Sequence, residues 1–225
     1  MNITPYGQAC VLLQLTQEIT NETHDRVHKI YLALTSLAHK GITSVIPSYC
    51  SLAIKYDVSS ISYTALKELL KSLEYETITL PLKQEHIIPV CYHESLALDR
   101  DHVCQHTLLS PEEIIALHTA PSYPIYAIGF VPGFFYLGGL APQLHIPRKE
   151  VPRLKVPKGS VGIAAKQTGV YPLATPGGWQ VIGRTPISLF DPKQPDKYRI
   201  GDTIRFKAID LSTYKELGKG LEIRD

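Results

Sequence analysis

Three basic residues, each preceded by proline, recur at five-residue intervals in Ile146-Pro147-Arg148, Val151-Pro152-Arg153 and Val156-Pro157-Lys158. Proline biases the residue before it toward extended backbone, so the string reads as a strand-like ribbon that holds cations at defined places. Such a ribbon suits an anionic ligand or an acidic partner, and it equally suits a solvated edge strand guarded by Lys, Arg and Pro. Around it lie glycine turns rich in hydroxyl and amide groups, Gly159-Ser160-Val161-Gly162, Gln167-Thr168-Gly169 and Thr175-Pro176-Gly177-Gly178-Trp179. Exposed N–H groups on these turns can receive a carboxylate or phosphate, although none forms a Walker loop or a GxGxxG helix start.

Arg184, between Gly183 and Thr185, is placed to grip both oxygens of a carboxylate or to make a structural ion pair. Trp179, Tyr171, Tyr136 and Phe135 can wall a pocket with apolar faces and polar tips, or simply pack a core. His118 ends a helix pattern, where a cation is favoured and titration falls near neutrality; it reads as an acid or base, or as a histidine satisfying the last helical carbonyls. His24/His28 and His102/His106 have i,i+4 spacing without a third ligand nearby, and they read as surface residues rather than a metal site. No GxSxG or HExxH is present.

The elements that must position these groups differ between the two halves. Gly129 to Pro186 holds 10 of the 15 glycines and 8 of the 17 prolines, interleaved with β-branched runs, which predicts short strands joined by shaped turns. Helical period is nearly absent from Tyr126 to Tyr214, favouring a barrel or closed sandwich for residues 84–225. Ser110-Pro111-Glu112-Glu113 marks a helix start by N-cap, first-turn proline and capping-box glutamate, and a shorter helix is expected at Leu98–Cys104.

Residues 1–83 instead alternate strands and helices: a strand in Gln8–Leu15, a helix in Asn21–Lys40, a hairpin of Ile42–Pro47 with Ser51–Tyr56, a helix capped by Ser62, and a last strand near Glu76–Leu80. That order predicts a ferredoxin-like split βαβ domain, so the chain as a whole reads as α+β.

A net charge of +2 gives no general support for a nucleic-acid or membrane role. The charge is local, however, with six basic residues and only Glu150 acidic in residues 143–166. Four separated cysteines signal neither a disulfide framework nor zinc, and no run is long enough to span a bilayer. The expected compartment is the cytoplasm.

Together, Gly129-Phe130-Val131-Pro132-Gly133-Phe134, Tyr136-Leu137-Gly138-Gly139-Leu140, Pro157-Lys158-Gly159-Ser160-Val161-Gly162-Ile163-Ala164, Gln167-Thr168-Gly169-Val170-Tyr171-Pro172 and the run Pro176 to Pro186 resemble the family of 5-oxoprolinase B subunits. That family also includes the KipI kinase inhibitors and the allophanate hydrolase subunit 1 domain. The match extends to Val45-Ile46-Pro47-Ser48-Tyr49 and Tyr56-Asp57, and it departs at Ala164-Ala165-Lys166, where many relatives have Ala-Gly.

The resemblance implies a cyclophilin-like barrel, with the A and C subunits of 5-oxoprolinase as partners in a complex that uses ATP to open 5-oxo-L-proline to L-glutamate, and no metal in this chain. Under it, His118, Gln167 and Thr168 are the candidate catalytic residues. Arg148, Arg153, Lys158, Ser160, Tyr171, Gly177, Gly178, Trp179 and Arg184 are the candidate substrate-binding residues. Two alternatives stay open: a KipI-type inhibitor docking on a sensor histidine kinase, and half of a biotin-dependent carboxyltransferase whose biotin comes from a partner.

Overall fold

The computed structural model describes residues 1–219. They form two compact units that divide between Leu82 and Lys83. In the first, β1 (Asn2–Pro5), β2 (Cys10–Gln14), β3 (Ile42–Ser48) and β4 (Ser51–Tyr56) form an antiparallel sheet in the order β1-β2-β4-β3, accompanied by α1 (Asn21–Leu37) and α2 (Tyr63–Lys71). Thr20 caps α1 by accepting the Thr23 N–H at 3.1 Å, and Ser62 caps α2 by accepting that of Ala65 at 3.2 Å. Val27, Ile30 and Leu34 at helical spacing meet Leu66 and Leu70 in one core with Val11, Leu13, Leu52 and Ile54.

Two expectations for this unit are corrected. The strand anticipated at Glu76–Leu80 is absent and the sheet edge beside β2 is taken by β1, so the unit keeps one split βαβ, with β2 and β3 joined through α1 on either side of β4, and lacks the final strand of the expected order. The β1–β2 hairpin closes locally, with Gly7 at φ +79° and the Tyr6 N–H donated to Cys10 O, so it needs little loop entropy. Residues 75–78 instead form a turn held by α1, with Arg26 donating to the Tyr75 hydroxyl and Lys29 to Glu76 O. His24 and His28, expected on the surface, are buried against the unit's interior.

The second unit begins with β5 (Glu85–Cys91), followed by α3 (Arg100–Thr107) and α4 (Pro111–Thr119). It continues through β6 (Ser122–Ile128), β7 (Phe135–Leu137), β8 (Arg153–Val156), β9 (Ser160–Ala164), β10 (Gln167–Val170), β11 (Thr175–Gly177), β12 (Gln180–Arg184), β13 (Thr203–Ile209) and α5 (Leu211–Lys219). Seven strands close a barrel in the order β10-β7-β6-β13-β5-β12-β9, antiparallel except for β5 and β13, while β8 and β11 form a separate two-stranded ribbon. Ile88, Val90, Tyr123, Phe135, Ile163, Ile182 and Phe206 are among the side chains filling the barrel. The capping box at Ser110 and Glu113 is present, with Glu113 accepting the Ser110 N–H at 2.7 Å.

No helix among the described residues is long and apolar enough to cross a membrane, and no group of three or more His, Cys, Asp or Glu among them is arranged to hold a metal ion. The four cysteines are free thiols.

The two-residue turn between β9 and β10 places Ala165 at φ +50°, its N–H donated to Ile146 O at 2.7 Å. A Cβ in that region costs roughly 1–2 kcal/mol, part of which glycine's larger unfolded-state entropy offsets. Ala165→Gly is therefore expected to raise the unfolding free energy by roughly 0.5–1 kcal/mol, read from denaturant midpoints at unchanged m-value.

Candidate functional site

The outer face of β9 and β10 has a floor without side chains. Gly162 and Gly169 pair with each other across the two strands. A Cβ on Gly162 would lie 3.1 Å from Trp179 Cβ, and one on Gly169 would lie 2.9 Å from Trp179 Cζ3 and 2.5 Å from Phe135 O. Only bare backbone lets the rings settle here. Phe134 is the hub, its ring centroid 5.5 Å from Trp179, 5.2 Å from Tyr171 and 4.8 Å from Tyr136, all edge to face.

Trp179 is 4% exposed and Tyr171 2%, so both mainly form the foundation of this face; Tyr136 is more open. The Arg148 guanidinium lies over the Trp179 ring, 5.9 Å from its centroid. Burial pushes the Tyr136 and Tyr171 hydroxyls above their ordinary values, and Arg148 pulls both partly back. The Tyr171 hydroxyl also receives the Trp179 backbone N–H, and a side chain on Gly177 would meet it at 2.5 Å.

The ribbon that carries Arg148 and Arg153 is fastened to the barrel by a residue the sequence reading missed. Asp99, 5% exposed, accepts Arg153 Nη1 at 2.6 Å and Nη2 at 2.8 Å, Lys149 Nζ at 2.8 Å and the Val181 N–H at 2.8 Å. Its own N–H is donated to Val181 O at 2.9 Å. Burial alone would raise the carboxyl; the bonds from Arg153, Lys149 and Val181 outweigh it and hold Asp99 below its usual value. No local pattern marks this aspartate, since its partners lie 50 to 82 residues away.

Gln180, 1% exposed, adds a second fastening, donating Nε2 to Pro147 O at 3.2 Å. The Lys149 N–H adds a third by bonding Gly178 O at 2.7 Å.

The candidate residues therefore fall into three groups. Arg148, Arg153, Tyr171, Gly177, Gly178 and Trp179 come together on the aromatic face, although Arg153 is gripped by Asp99 rather than open to a ligand. Lys158, Ser160 and Arg184 gather at the turn before β9. There Arg184 Nε donates to Lys158 O at 2.7 Å, and the Gly159 and Ser160 amides, expected to receive an anion, are donated to Tyr171 O and Pro157 O.

His118 and Thr168 form the third group, inside the barrel, while Gln167 alternates to the opposite side of β10 at its open end. His118 Nε2 is 2.8 Å from Thr168 Oγ1, which donates to Gly162 O at 3.1 Å, and His118 Nδ1 is 2.7 Å from the Tyr92 hydroxyl. Because the Thr168 hydrogen goes to Gly162, Thr168 must accept from His118 Nε2–H, leaving Nδ1 to accept from Tyr92. The ring is stacked on Phe206 at 4.6 Å, and complete burial lowers its pKa to about 3. The expectation of a histidine titrating near neutrality at the helix end is thus corrected: the side chain turns into the core and stays neutral.

The fold that carries this face is carboxyltransferase-like. The urea carboxylase of Kluyveromyces lactis shares the fold, with a TM-score of 0.79 at 18% identity over 95% of this chain and 22% of that one. The family model for the carboxyltransferase domain, subdomain C and D, matches residues 1–199.

The 5-oxoprolinase B subunit of Bacillus subtilis (strain 168) is 36% identical over 233 residues, covering 95% of this chain and 96% of that protein. The crystal structure of TTHA0988 superposes with a TM-score of 0.79 at 34% identity over 89% of this chain, which spans only 40% of that longer protein. The chain belongs to the carboxyltransferase subdomain C and D family, and within it to the B subunits of 5-oxoprolinase.

The buried histidine and the buried aspartate each lead to an expected outcome. Unfolded, His118 takes up its proton near 6.5; folded, it resists until about 3, so it lowers stability progressively as pH falls between those values and imposes no such penalty above them. Its ring should remain the Nε2–H tautomer from pH 8 to 5 by nitrogen-detected NMR, with Thr168→Ala costing roughly 2–3 kcal/mol and Thr168→Ser largely restoring it. Asp99→Asn leaves two cations without their carboxylate. A cost of about 2–3 kcal/mol is expected, reduced from a fully buried pair because Lys149 and Arg153 are about a quarter exposed, with hydrogen exchange speeding up first along residues 147–156.

Proposed function

We propose that this chain is the B subunit of an ATP-dependent 5-oxoprolinase that opens 5-oxo-L-proline to L-glutamate, working with the A and C subunits. The observation that carries the reading is Arg148, exposed at its guanidinium, held over the Trp179 ring beside Tyr136 on an anchored ribbon. A small cyclic acid offers both chemistries this face can meet. Its carboxylate pairs with the guanidinium, and its ring lies against the exposed aromatic edge.

The ring amide is resonance-stabilised, so its hydrolysis needs activation. In the proposed reaction the carbonyl oxygen takes a phosphoryl group from ATP, water adds at that carbon, the ring C–N bond breaks as nitrogen gains a proton and leaves an acyl phosphate, and a second water then displaces phosphate to give the free carboxylate. ATP is assigned to the partner subunits, because the Gly159 and Ser160 amides of this chain are already bonded internally and cradle no phosphate. His118 and Thr168 serve as positioning residues: they hold the Gly162 carbonyl and so the floor beneath the rings.

Omitting this chain from purified A and C subunits should abolish glutamate formation from 5-oxoproline, and turnover unchanged by the omission would overturn the reading. Arg148→Ala should raise KM roughly 10-fold or more with a smaller change in kcat, the mark of a lost charge-assisted substrate contact. Arg148→Lys should recover part of it.

A further inference from the structure

We propose that the β8–β11 ribbon, with the loop leading into it, is a docking element for a partner protein whose facing surface is acidic around an apolar cleft. Val151 is 80% exposed and Leu154 91%, on a segment otherwise shaped by proline and charge. Leu98, 45% exposed, is tied to the same ribbon through its carbonyl, 3.5 Å from Arg153 Nη2. Aliphatic side chains at this exposure do nothing for the core, whereas burying them against a partner removes apolar surface from water and favours association. The ribbon also presents an open strand edge, since β8 pairs only with β11 among the described residues.

Charge selects the occupant. Of the six cations in residues 143–166, Lys149 and Arg153 share the single negative charge of Asp99, and Arg148, Lys155, Lys158 and Lys166 stand against Glu150 alone. A second copy of the same ribbon is repelled, and a nucleic acid would leave Val151 and Leu154 unused. An acidic protein surface with an apolar slot uses both features and is drawn in by the field.

The ribbon is also ordered in advance. Asp99 fixes Arg153 and Lys149, Gln180 holds Pro147 O, and the Lys149 N–H bonds Gly178 O, so association does not have to order the segment. Within a 5-oxoprolinase complex, the C subunit is the partner expected to carry the complementary surface, an assignment that rests on the proposed function.

The test is calorimetric titration of the full chain with the purified C subunit at low and high salt, alongside turnover of the assembled three-subunit enzyme. Wild type is expected to bind, more weakly as salt rises. The double variant Val151→Asp/Leu154→Asp should lose roughly 30-fold or more in affinity, and Lys155→Glu should lose affinity and flatten the salt dependence. Leu108→Asp, at a site 89% exposed at the end of α3, should bind as wild type does, and thermal melts should show all variants folded.

If the ribbon variants bind the C subunit as tightly as wild type, the docking surface is overturned while the oxoprolinase reading stands. If wild type neither binds the C subunit nor supports turnover, both fall.

Discussion

The outer face of the barrel depends on one carboxylate. Asp99 precedes α3, yet its side chain makes no capping bond there; it reaches instead to the Val181 amide of β12 and to Arg153 and Lys149 on the ribbon. A carboxylate this buried is tolerable only because every approach is filled by a donor, two of them charged. The same bonds tie helix, barrel strand and ribbon into one rigid body. With Asp99 in place, Arg148 is carried to the Trp179 ring and Val156 is pressed into the cluster around Phe134.

A second constraint works from inside. The floor under the rings consists of the Gly162 and Gly169 backbone, and the Gly162 carbonyl is held by Thr168, which is itself oriented by His118 and Tyr92. A neutral histidine suits this task because it is both donor and acceptor, satisfying two hydroxyl groups at once in a dry interior. A protonated ring would have two donors and would oppose the Tyr92 hydroxyl. Complete burial of the ring, which lowers its pKa to about 3, keeps it in that neutral form.

Local chemistry was the part of the fold legible in the sequence. The capping box at Ser110, the Ser62 cap, the β3–β4 hairpin and the strand-rich second half all follow from interactions spanning a few residues. Competition between distant partners was not legible. Asn2–Pro5 takes the edge beside β2, while the Tyr75–Glu76 turn is held by Arg26 and Lys29, contacts 47 to 49 residues apart that no local pattern announces. Likewise the proline-led basic triplets announced the ribbon, but not that one of its arginines would be taken up by Asp99. The residue types that could bind an anion were visible, and which of them remain available was decided by tertiary pairing.

That division bears on why a chain of this kind would act as one subunit among several. Small-molecule sites usually bury most of the ligand's surface within a concave pocket. Here the rings best suited to contact a ligand are spent on the foundation: Trp179, Tyr171 and Phe134 are each less than 5% exposed. What remains outward is the Tyr136 edge, the Arg148 guanidinium and the exposed aliphatics of the ribbon, which make one wall rather than an enclosure. A wall of this kind can contact a small molecule on one side but cannot by itself exclude water from it. A facing surface brought in along the ribbon would supply the missing side, and it would explain why the rigid anchorage extends beyond Arg148 to the segment carrying Val151 and Leu154.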